Sequence, residues 1–268
     1  MSFQKIIETF HPISLKEMDS VQLLNRIDTK YVLSLDLLPH ILKEIQPHYR
    51  TLDIESERIF SYNSLYFDTP TDYMYLAHHN GKLNRYKIRF RRYVSSGLCF
   101  LEIKYKIKGT RTLKHRTVIQ DIETRLSPRS EEYIRKYTPF MNGDLAPKVH
   151  TDFSRITLVS KELNERVTID LDLQFRRNGD SRDVGNVVIV ELKRDSNARN
   201  SNLVNTLNFY GVYPKGFSKY CIGRALLEQT LKQNNFKERL LMINKINEGR
   251  FYYRNFDTKP KVTNSLYF

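Results

Sequence analysis

Basic residues recur at every second position in two short segments of the chain, a spacing suited to holding a polyanion. In an extended strand, Lys87, Arg89 and Arg91 project from one face, because residues two apart share a face. In the next segment, Lys104 and Lys106 repeat the pattern. Arginine grips phosphate with a two-pronged fork, and lysine acts as a mobile point charge. Such residues can bind phosphate groups and stabilise the charge that develops during phosphoryl transfer.

Further charged residues continue this alternation along the chain. They are Glu102, Lys114 and Arg116, then Arg166, Asp170 and Asp172, and finally Glu191 and Lys193. On a single strand, such a row is typical of the solvated face of a sheet. Neighbouring strands with like charges would repel one another unless an anion bridged them. The pattern therefore predicts that the charged face points inward, around an anionic ligand.

Eight short segments alternate polar and apolar residues and are predicted to be strands. They cover residues 27–33, 60–67, 85–93, 98–107, 112–120, 150–160, 165–175 and 186–193. Helices are predicted over residues 37–45 with Ser34 as N-cap, from Ser127 with Pro128 at the first position, from about Arg199 to Gly211, and after Phe217. We therefore expect an α+β fold: a closed antiparallel eight-stranded β-barrel with a charged lumen and peripheral helices.

The composition indicates a globular protein with a polyanionic partner. Among 268 residues, 44 Lys and Arg against 30 Asp and Glu give a net charge of +14. One domain is predicted over residues 1–268, with an N-terminal extension at 1–25 and a loosely ordered or surface-docked tail at 249–268. No segment approaches the roughly 18 consecutive apolar residues of a membrane-spanning helix. A signal peptide is not recognised and the two cysteines lack metal-site spacing, so we expect a cytoplasmic location.

Eight motifs resemble those of the triphosphate tunnel metalloenzymes, and within them the polyphosphate polymerase domain of the vacuolar transporter chaperone complex and its stand-alone bacterial relatives. In chain order they are RIDTKY (26–31), SLYFDTP (64–70), KIRFRRY (87–93), LEIK (101–104), FSR (153–155), RVTIDLD (166–172), VELK (190–193) and FSKY (217–220). The sequence departs from the family's motifs in two places. Asp28 and Lys30 replace the Glu-x-Glu-x-Lys signature of the cyclase and thiamine-triphosphatase branches, and Gly216 interrupts the motif around Lys215.

The resemblance implies a set of residues that hold the triphosphate of a nucleotide and a growing polyphosphate. The implied catalytic residues are Arg89, Arg91, Lys104, Arg155, Arg166 and Lys219. Lys30, Lys114 and Ser218 match further phosphate-contacting positions, and Lys87, Arg116 and Lys193 join them as basic residues of the same predicted faces. Glu191 matches the carboxylate that holds Mn²⁺ or Mg²⁺.

Several of these residues have a plain structural alternative. Glu191 could be the ion-pair partner of Lys193, and Ser218 could be a helix N-cap. Glu102 could orient other groups or pair with Lys104. Asp170 and Asp172 are predicted to share a face with Arg166, either to pair with that arginine or to assist the metal.

The implied activity is metal-dependent transfer of the γ-phosphate of ATP onto inorganic polyphosphate. The same site could instead hydrolyse triphosphate or short polyphosphate; two open ends would favour the polymerase, and a blocked end the hydrolase. A third alternative is a non-catalytic module that binds polyphosphate or RNA. Tyr86, Phe90 and Tyr105 fall opposite the charges, so bases would lack stacking partners and nucleic acid is not expected as a partner. A membrane-protein partner, the preferred metal and nucleotide, and the oligomeric state stay open.

Overall fold

A computed structural model describes residues 1–19, 26–107, 112–198 and 200–256, in which eleven strands belong to one sheet. The strands are β1 (His11–Ile13), β2 (Arg26–Ser34), β3 (Tyr49–Leu52), β4 (Phe60–Asp68), β5 (Arg85–Tyr93), β6 (Cys99–Lys106), β7 (Thr112–Ile119), β8 (Ala146–Ser160), β9 (Glu165–Arg177), β10 (Asp180–Asp183) and β11 (Val187–Asp195). The α-helices are α1 (Phe3–Ile7), α2 (Leu15–Asp19), α3 (Leu38–Ile45), α4 (Tyr73–His79), α5 (Pro128–Tyr137), α6 (Asn202–Phe209), α7 (Lys219–Leu227) and α8 (Lys237–Asn247). None of these helices is long and apolar enough to cross a membrane.

The eight predicted strands are confirmed as the main path of the sheet, in the order β2-β11-β9-β8-β4-β5-β6-β7. Every neighbouring pair on this path is antiparallel. The short strands β1, β3 and β10 attach to the side of the path. They span three or four residues each, which is too short for an alternating pattern to reveal them.

The predicted closure of the barrel is wrong, because the sheet curls but stays open. In the described parts of the chain, β2 and β7 end the path and do not pair with each other. The free edge of β2 is occupied elsewhere: the N–H of Lys215, in the loop before α7, donates to the carbonyl of Lys30 at 2.7 Å. The curl still brings the two ends near each other, since Arg26 and Asp28 of β2 act electrostatically on Lys114 of β7.

Apolar side chains cover the outer face of the sheet, as the alternation predicts. Ile88, Phe90, Leu101 and Ile103 are fully buried with residues of α4 and α5. On the other half of the sheet, outward residues of β8, β9 and β11 pack with α1, α3 and α6. The charged rows therefore lie on the opposite side, which we call the inner face. The assignment of the two faces from sequence is confirmed.

The four predicted helices are confirmed as α3, α5, α6 and α7, with one corrected cap. Leu37, not Ser34, is the N-cap of α3; the Ser34 hydroxyl accepts a hydrogen bond from the Leu37 N–H at 3.4 Å. The predicted start of the third helix at Arg199 lies outside the described residues. In the predicted tail, residues 250–256 dock on the core, where Tyr253 accepts a hydrogen bond from the Ser34 N–H at 2.7 Å. Positions 257–268 of that tail lie outside the described residues.

Helix α7 lies across one end of the inner face. Its approach to β9 is so close that a Cβ on Gly223 would lie 2.3 Å from a ring carbon of Phe175. Tyr220 of the same helix stacks on Tyr66 of β4, with ring centroids 5.3 Å apart. Glycine is therefore required at position 223, and the close packing fixes Ser218 and Lys219 at the start of α7 against the sheet.

A β-bulge explains why apolar residues meet α7 on an otherwise charged face. The β8–β9 register shifts next to Asp172, which adopts a left-handed backbone with φ of 52°. After the shift, Leu173 and Phe175 point inward and are buried with α7. Asp172 itself is exposed. The predicted common face of Asp172 and Arg166 is therefore wrong, because the bulge inserts one residue into the alternation.

Candidate phosphate-binding site

Two arginines of β5 are held on the inner face by polar partners. Arg89 donates to Glu102 at 2.6 Å and to the hydroxyl of Tyr66 at 3.0 Å. Arg91 is 6% exposed and donates to Ser64 at 3.2 Å, and it forms no salt bridge with a carboxylate in the described parts of the chain. The β4–β5 register places these partners directly opposite, Tyr66 against Arg89 and Ser64 against Arg91. Strand pairing alone therefore sets the direction of both guanidinium groups.

Burial and the crowding of like charges lower the pKa values of two cations in this region. Burial and the neighbouring Arg89 lower the pKa of Arg91 to about 10. The charge of Arg89, together with burial, lowers the pKa of Lys104 well below its usual value. The pKa of Glu102 is also lowered, to about 2, because Arg89, Arg91 and Lys104 outweigh its burial, which alone would raise the pKa. One carboxylate thus serves three cations, an arrangement that a bound anion would stabilise.

A second cluster joins β8, β9 and α7 around Asp170. Arg155 binds this carboxylate in a two-pronged fashion, at 2.6 and 2.9 Å, and Lys219 contacts the same group. The side chain of Asp170 is 2% exposed. Burial alone would raise the pKa of Asp170, but Arg155 and Lys219 hold it well below its usual value. Asp170 therefore pairs with Arg155 and Lys219, and not with Arg166, the partner named in one of its two alternatives.

A third cluster centres on Glu191, between two lysines. Lys30 of β2 lies 2.6 Å from one carboxylate oxygen, and Lys193 lies 3.4 Å from the other. Burial alone would raise the pKa of Glu191, but Lys193 and Lys30 hold it well below its usual value. The ion pair with Lys193 that the sequence left as an alternative is present. Glu191 is thus ionised and one-fifth exposed, so its carboxylate is accessible to a metal carried by a phosphate.

The carboxylates suit a metal that arrives with its substrate better than a site built from protein alone. Within the described ranges, no group of three or more His, Cys, Asp or Glu could hold a metal ion. Asp170 and Glu102 are each engaged by arginine. Magnesium commonly uses one or two carboxylates plus phosphate oxygens and water. Glu191 fits the role of that single protein ligand.

An aromatic floor, formed by Tyr62 and Phe153, lies under the cations and was missed by the sequence analysis. The two rings stack at 5.1 Å with an interplanar angle of 4°. Arg91 and Arg155 lie 5.5 and 5.2 Å from both ring centroids, and Lys219 lies 4.4 Å from that of Phe153. The signal was available, because residues 62, 64 and 66 share a face in β4. Cation–π contacts of this kind position charges without neutralising them.

The remaining predicted residues line the inner face more loosely. Lys87 donates to the Ser218 hydroxyl at 3.0 Å, while the Cys221 N–H donates to the same oxygen at 3.4 Å. Ser218 is therefore the N-cap of α7, which was the structural alternative for this residue. Lys114 and Arg116 of β7 are exposed. Arg166 lies at the other end, where it donates to the carbonyl of Met18 at 2.7 Å.

A pocket lies beside α7 at the free edge of β2, and we call it the lateral pocket. Its volume is about 580 Å³, and β2, α4, β5, β6, α8 and the loop before α7 all contribute to its walls. The basic residues among its lining are Lys30, Arg85, Lys87, Lys106, Lys215 and Arg239. Lys215, whose placement the sequence left open, therefore faces this pocket, where it pairs with Glu238. Since Lys30 and Lys87 also belong to the inner face, the pocket continues the charged row.

Binding of a polyphosphate is expected to transfer a proton to the protein above pH 8. Burial, with a further effect of Arg155, lowers the pKa of Lys219 to about 8 in the free protein. A bound polyanion raises that pKa, so affinity for tripolyphosphate should fall as pH rises from 8 to 9.5, by up to tenfold per unit for one proton. Titration calorimetry at pH 8.5, in buffers of different ionisation enthalpy, counts the protons taken up. The Lys219→Met variant should take up about one proton fewer than wild type when it binds tripolyphosphate. An unchanged number of protons would assign the uptake to Lys104 or to the ligand.

Comparisons with known proteins identify the family. The VTC domain model matches residues 25–228. The chain therefore belongs to the VTC domain family, and the resemblance found in its motifs is confirmed. A comparison with curated proteins found no match.

Solved structures with a similar chain path differ greatly from this protein in sequence. The Hippeastrum protein HpAC1, a proposed adenylyl cyclase with a dominant triphosphatase activity, is 13% identical; the match covers 75% of this chain and 95% of that one, with a TM-score of 0.48. PH1819 from Pyrococcus horikoshii OT3 is 12% identical, with coverages of 75% and 98% and a TM-score of 0.42. A proposed adenylate cyclase from Vibrio parahaemolyticus is 12% identical, with coverages of 76% and 87% and a TM-score of 0.38. At these values, the neighbours carry no information about the chemistry of this chain.

Proposed function

We propose that the inner face binds a nucleoside triphosphate and a polyphosphate chain, and that the protein transfers the γ-phosphate of ATP onto that chain. The observation that carries the proposal is the continuous row of cations from Arg91 through Arg89 and Lys87 into the lateral pocket. From Arg91 to Arg85, β5 advances six residues, or about 20 Å. This row is longer than three consecutive phosphates require, which supports an acceptor chain beside the triphosphate.

The proposed roles follow from the chemistry of each group. Arg89, Arg91 and Arg155 are fixed by hydrogen bonds and hold the triphosphate through paired N–H donors. Lys104 and Lys219 are point charges with lowered pKa values in the free protein, and a bound phosphate raises these pKa values, so both lysines are fully protonated when the substrate is present. Phosphoryl transfer depends mainly on positioning and on fixed positive charge near the transferring oxygens. The inner face supplies both.

A divalent cation, Mn²⁺ or Mg²⁺, is part of the proposal. When bound with the triphosphate, it would neutralise charge on the transferring oxygens, with Glu191 as its protein ligand. Lys30 and Lys193 hold the Glu191 carboxylate from both sides, and so they position it on the inner face. Arg166, Lys114, Arg116 and Ser218 are retained as outer contacts to the phosphate chain.

One observation favours the hydrolase as a second candidate. Helix α7 covers one end of the inner face, where Tyr220 packs on Tyr66 and Lys219 binds Asp170. A triphosphate that ended against α7 would leave little room for an acceptor chain along the sheet. Water would then be the acceptor of the phosphoryl group. The lateral pocket opens beside the helix and supports the polymerase instead.

Purified protein incubated with ATP and Mn²⁺ is expected to produce a ladder of long phosphate chains on a gel. Free phosphate without a ladder would identify the hydrolase. If neither product formed, the protein would be a binding module.

Arg91→Ala should weaken tripolyphosphate binding about tenfold, the loss expected for a charged hydrogen bond. Arg92→Ala is the matched control, since Arg92 points to the outer face and pairs with Asp121 at 2.6 Å. Equal effects of the two substitutions would contradict the assignment of the inner face.

A further inference from the structure

The inner face of β5, β6 and β7 divides into a charged half and an apolar half. Toward α7 and the lateral pocket, the strand register places Lys87, Lys104 and Lys114 side by side. Toward the β5–β6 hairpin, the same rows carry an aromatic and aliphatic patch. We call it the apolar end, and it consists of Tyr93, Leu98, Phe100 and Val118 together with Tyr62 of β4.

The apolar end exposes its side chains next to a strongly charged surface. Val118 is 54% exposed and Leu98 is 51% exposed, whereas Phe100 and Tyr93 are partly exposed. The ring of Phe100 lies 5.7 Å from that of Tyr93, which in turn lies 5.0 Å from Tyr62. Exposed apolar clusters cost free energy, and their presence beside a ligand site indicates a binding role.

An arginine lies at the border of this apolar patch. The guanidinium of Arg116 lies 5.0 Å from the centroid of Phe100 and is directly opposite Glu102 in the strand register. Guanidinium planes and aromatic rings are the two surfaces on which nucleobases stack in proteins. The patch therefore offers stacking surfaces on the charged face, where the sequence pattern predicted none.

The ligand that matches both halves has a flat, apolar group at one end and several phosphates at the other. We propose that the apolar end binds the base of a nucleoside triphosphate, with the triphosphate running over Arg91 and Arg89 toward Lys87. This inference rests on the proposed function and adds the direction of the nucleotide. Inorganic polyphosphate has no group for the patch, so it would occupy the charged half and the lateral pocket. The γ-phosphate then faces the acceptor chain.

The test compares ATP with inorganic tripolyphosphate on the same variants. Phe100→Leu should weaken ATP binding roughly tenfold, which corresponds to about 1.4 kcal/mol and is within the range for one stacked base. Tripolyphosphate affinity should stay within twofold. Val94→Ala is the matched control, because Val94 is 51% exposed on the same hairpin but lines a pocket of the outer face with Arg92. Proton NMR adds a second readout: adenine resonances should shift upfield in the wild-type complex, and less in Phe100→Leu.

Three results separate this inference from the proposed function. If wild-type protein binds neither ligand, the proposed function fails. If both ligands bind and Phe100→Leu leaves their affinity ratio and the adenine shifts unchanged, only the base site is overturned. If Phe100→Leu instead alters self-association in sedimentation while the ratio stays constant, the patch is an interface between two copies and the base site is overturned as well.

Discussion

Asp170→Asn is expected to destabilise the folded protein by about 3 kcal/mol, the loss typical of breaking a buried ion pair. The substitution keeps the shape of the side chain but removes the negative charge that Arg155 and Lys219 share at a 2% exposed position. Two cations then face each other without a counter-charge. For a chain of this size, the melting temperature should fall by about 5 to 10 °C. Thermal unfolding followed by circular dichroism measures the change.

The control for this experiment lies two residues along the same strand. Asp172→Asn removes the same charge at the exposed bulge, where asparagine tolerates the left-handed backbone, and should change stability by less than about 0.5 kcal/mol. Tripolyphosphate should raise the melting temperature of Asp170→Asn more than that of wild type, because its oxygens supply the missing negative charge. If the two variants were equally stable, the charge of Asp170 would not be what holds Arg155 and Lys219 together.

The faces of the strands could be predicted because they depend on local alternation. The apolar side chain of Phe90 is buried in the core, and because neighbouring residues of a strand point to opposite faces, Arg89 and Arg91 point to the inner face. The same reasoning extended to β4 would have placed Tyr62 and Tyr66 on the inner face. The aromatic floor was therefore predictable from the sequence. The expectation that bases lack stacking partners considered Tyr86, Phe90 and Tyr105 and left out Phe100, which lies opposite Arg91 on the charged face.

Closure of the sheet could not be predicted in the same way. Whether β2 pairs with β7 depends on which donor reaches the carbonyl of Lys30, and the donor is Lys215, far along the chain. Alternation describes the faces of a strand but not the partner at its edge. The bulge at Asp172 was hidden for a related reason, since apolar residues continue at alternate positions through it. Its effect appears only in the register with β8.

The open edge gives the proposed site a shape that a closed barrel would lack. Lys30 pairs with Glu191 and also lines the lateral pocket. Lys87 of β5 donates a hydrogen bond to Ser218 at the start of α7. A phosphate chain could therefore enter beside α7 without displacing that helix. The feature that corrects the fold prediction is the same one that supports an acceptor chain.

Glu191→Gln is expected to lower turnover at least a hundredfold with either Mg²⁺ or Mn²⁺, while binding of tripolyphosphate without metal is kept or strengthened. Glutamine preserves the shape of the side chain but is a poor ligand for a hard cation, and it releases Lys30 and Lys193 from their shared carboxylate. Loss of turnover with gain of binding is therefore the signature of a metal ligand among lysines. Glu102→Gln is the control, because it also removes a negative charge from the inner face but leaves Glu191 in place, and its turnover should fall by less than tenfold. Initial rates with ATP and calorimetric titrations with tripolyphosphate supply the two measurements. Turnover of Glu191→Gln within a few-fold of wild type in Mn²⁺ would show that Glu191 only pairs with its lysines.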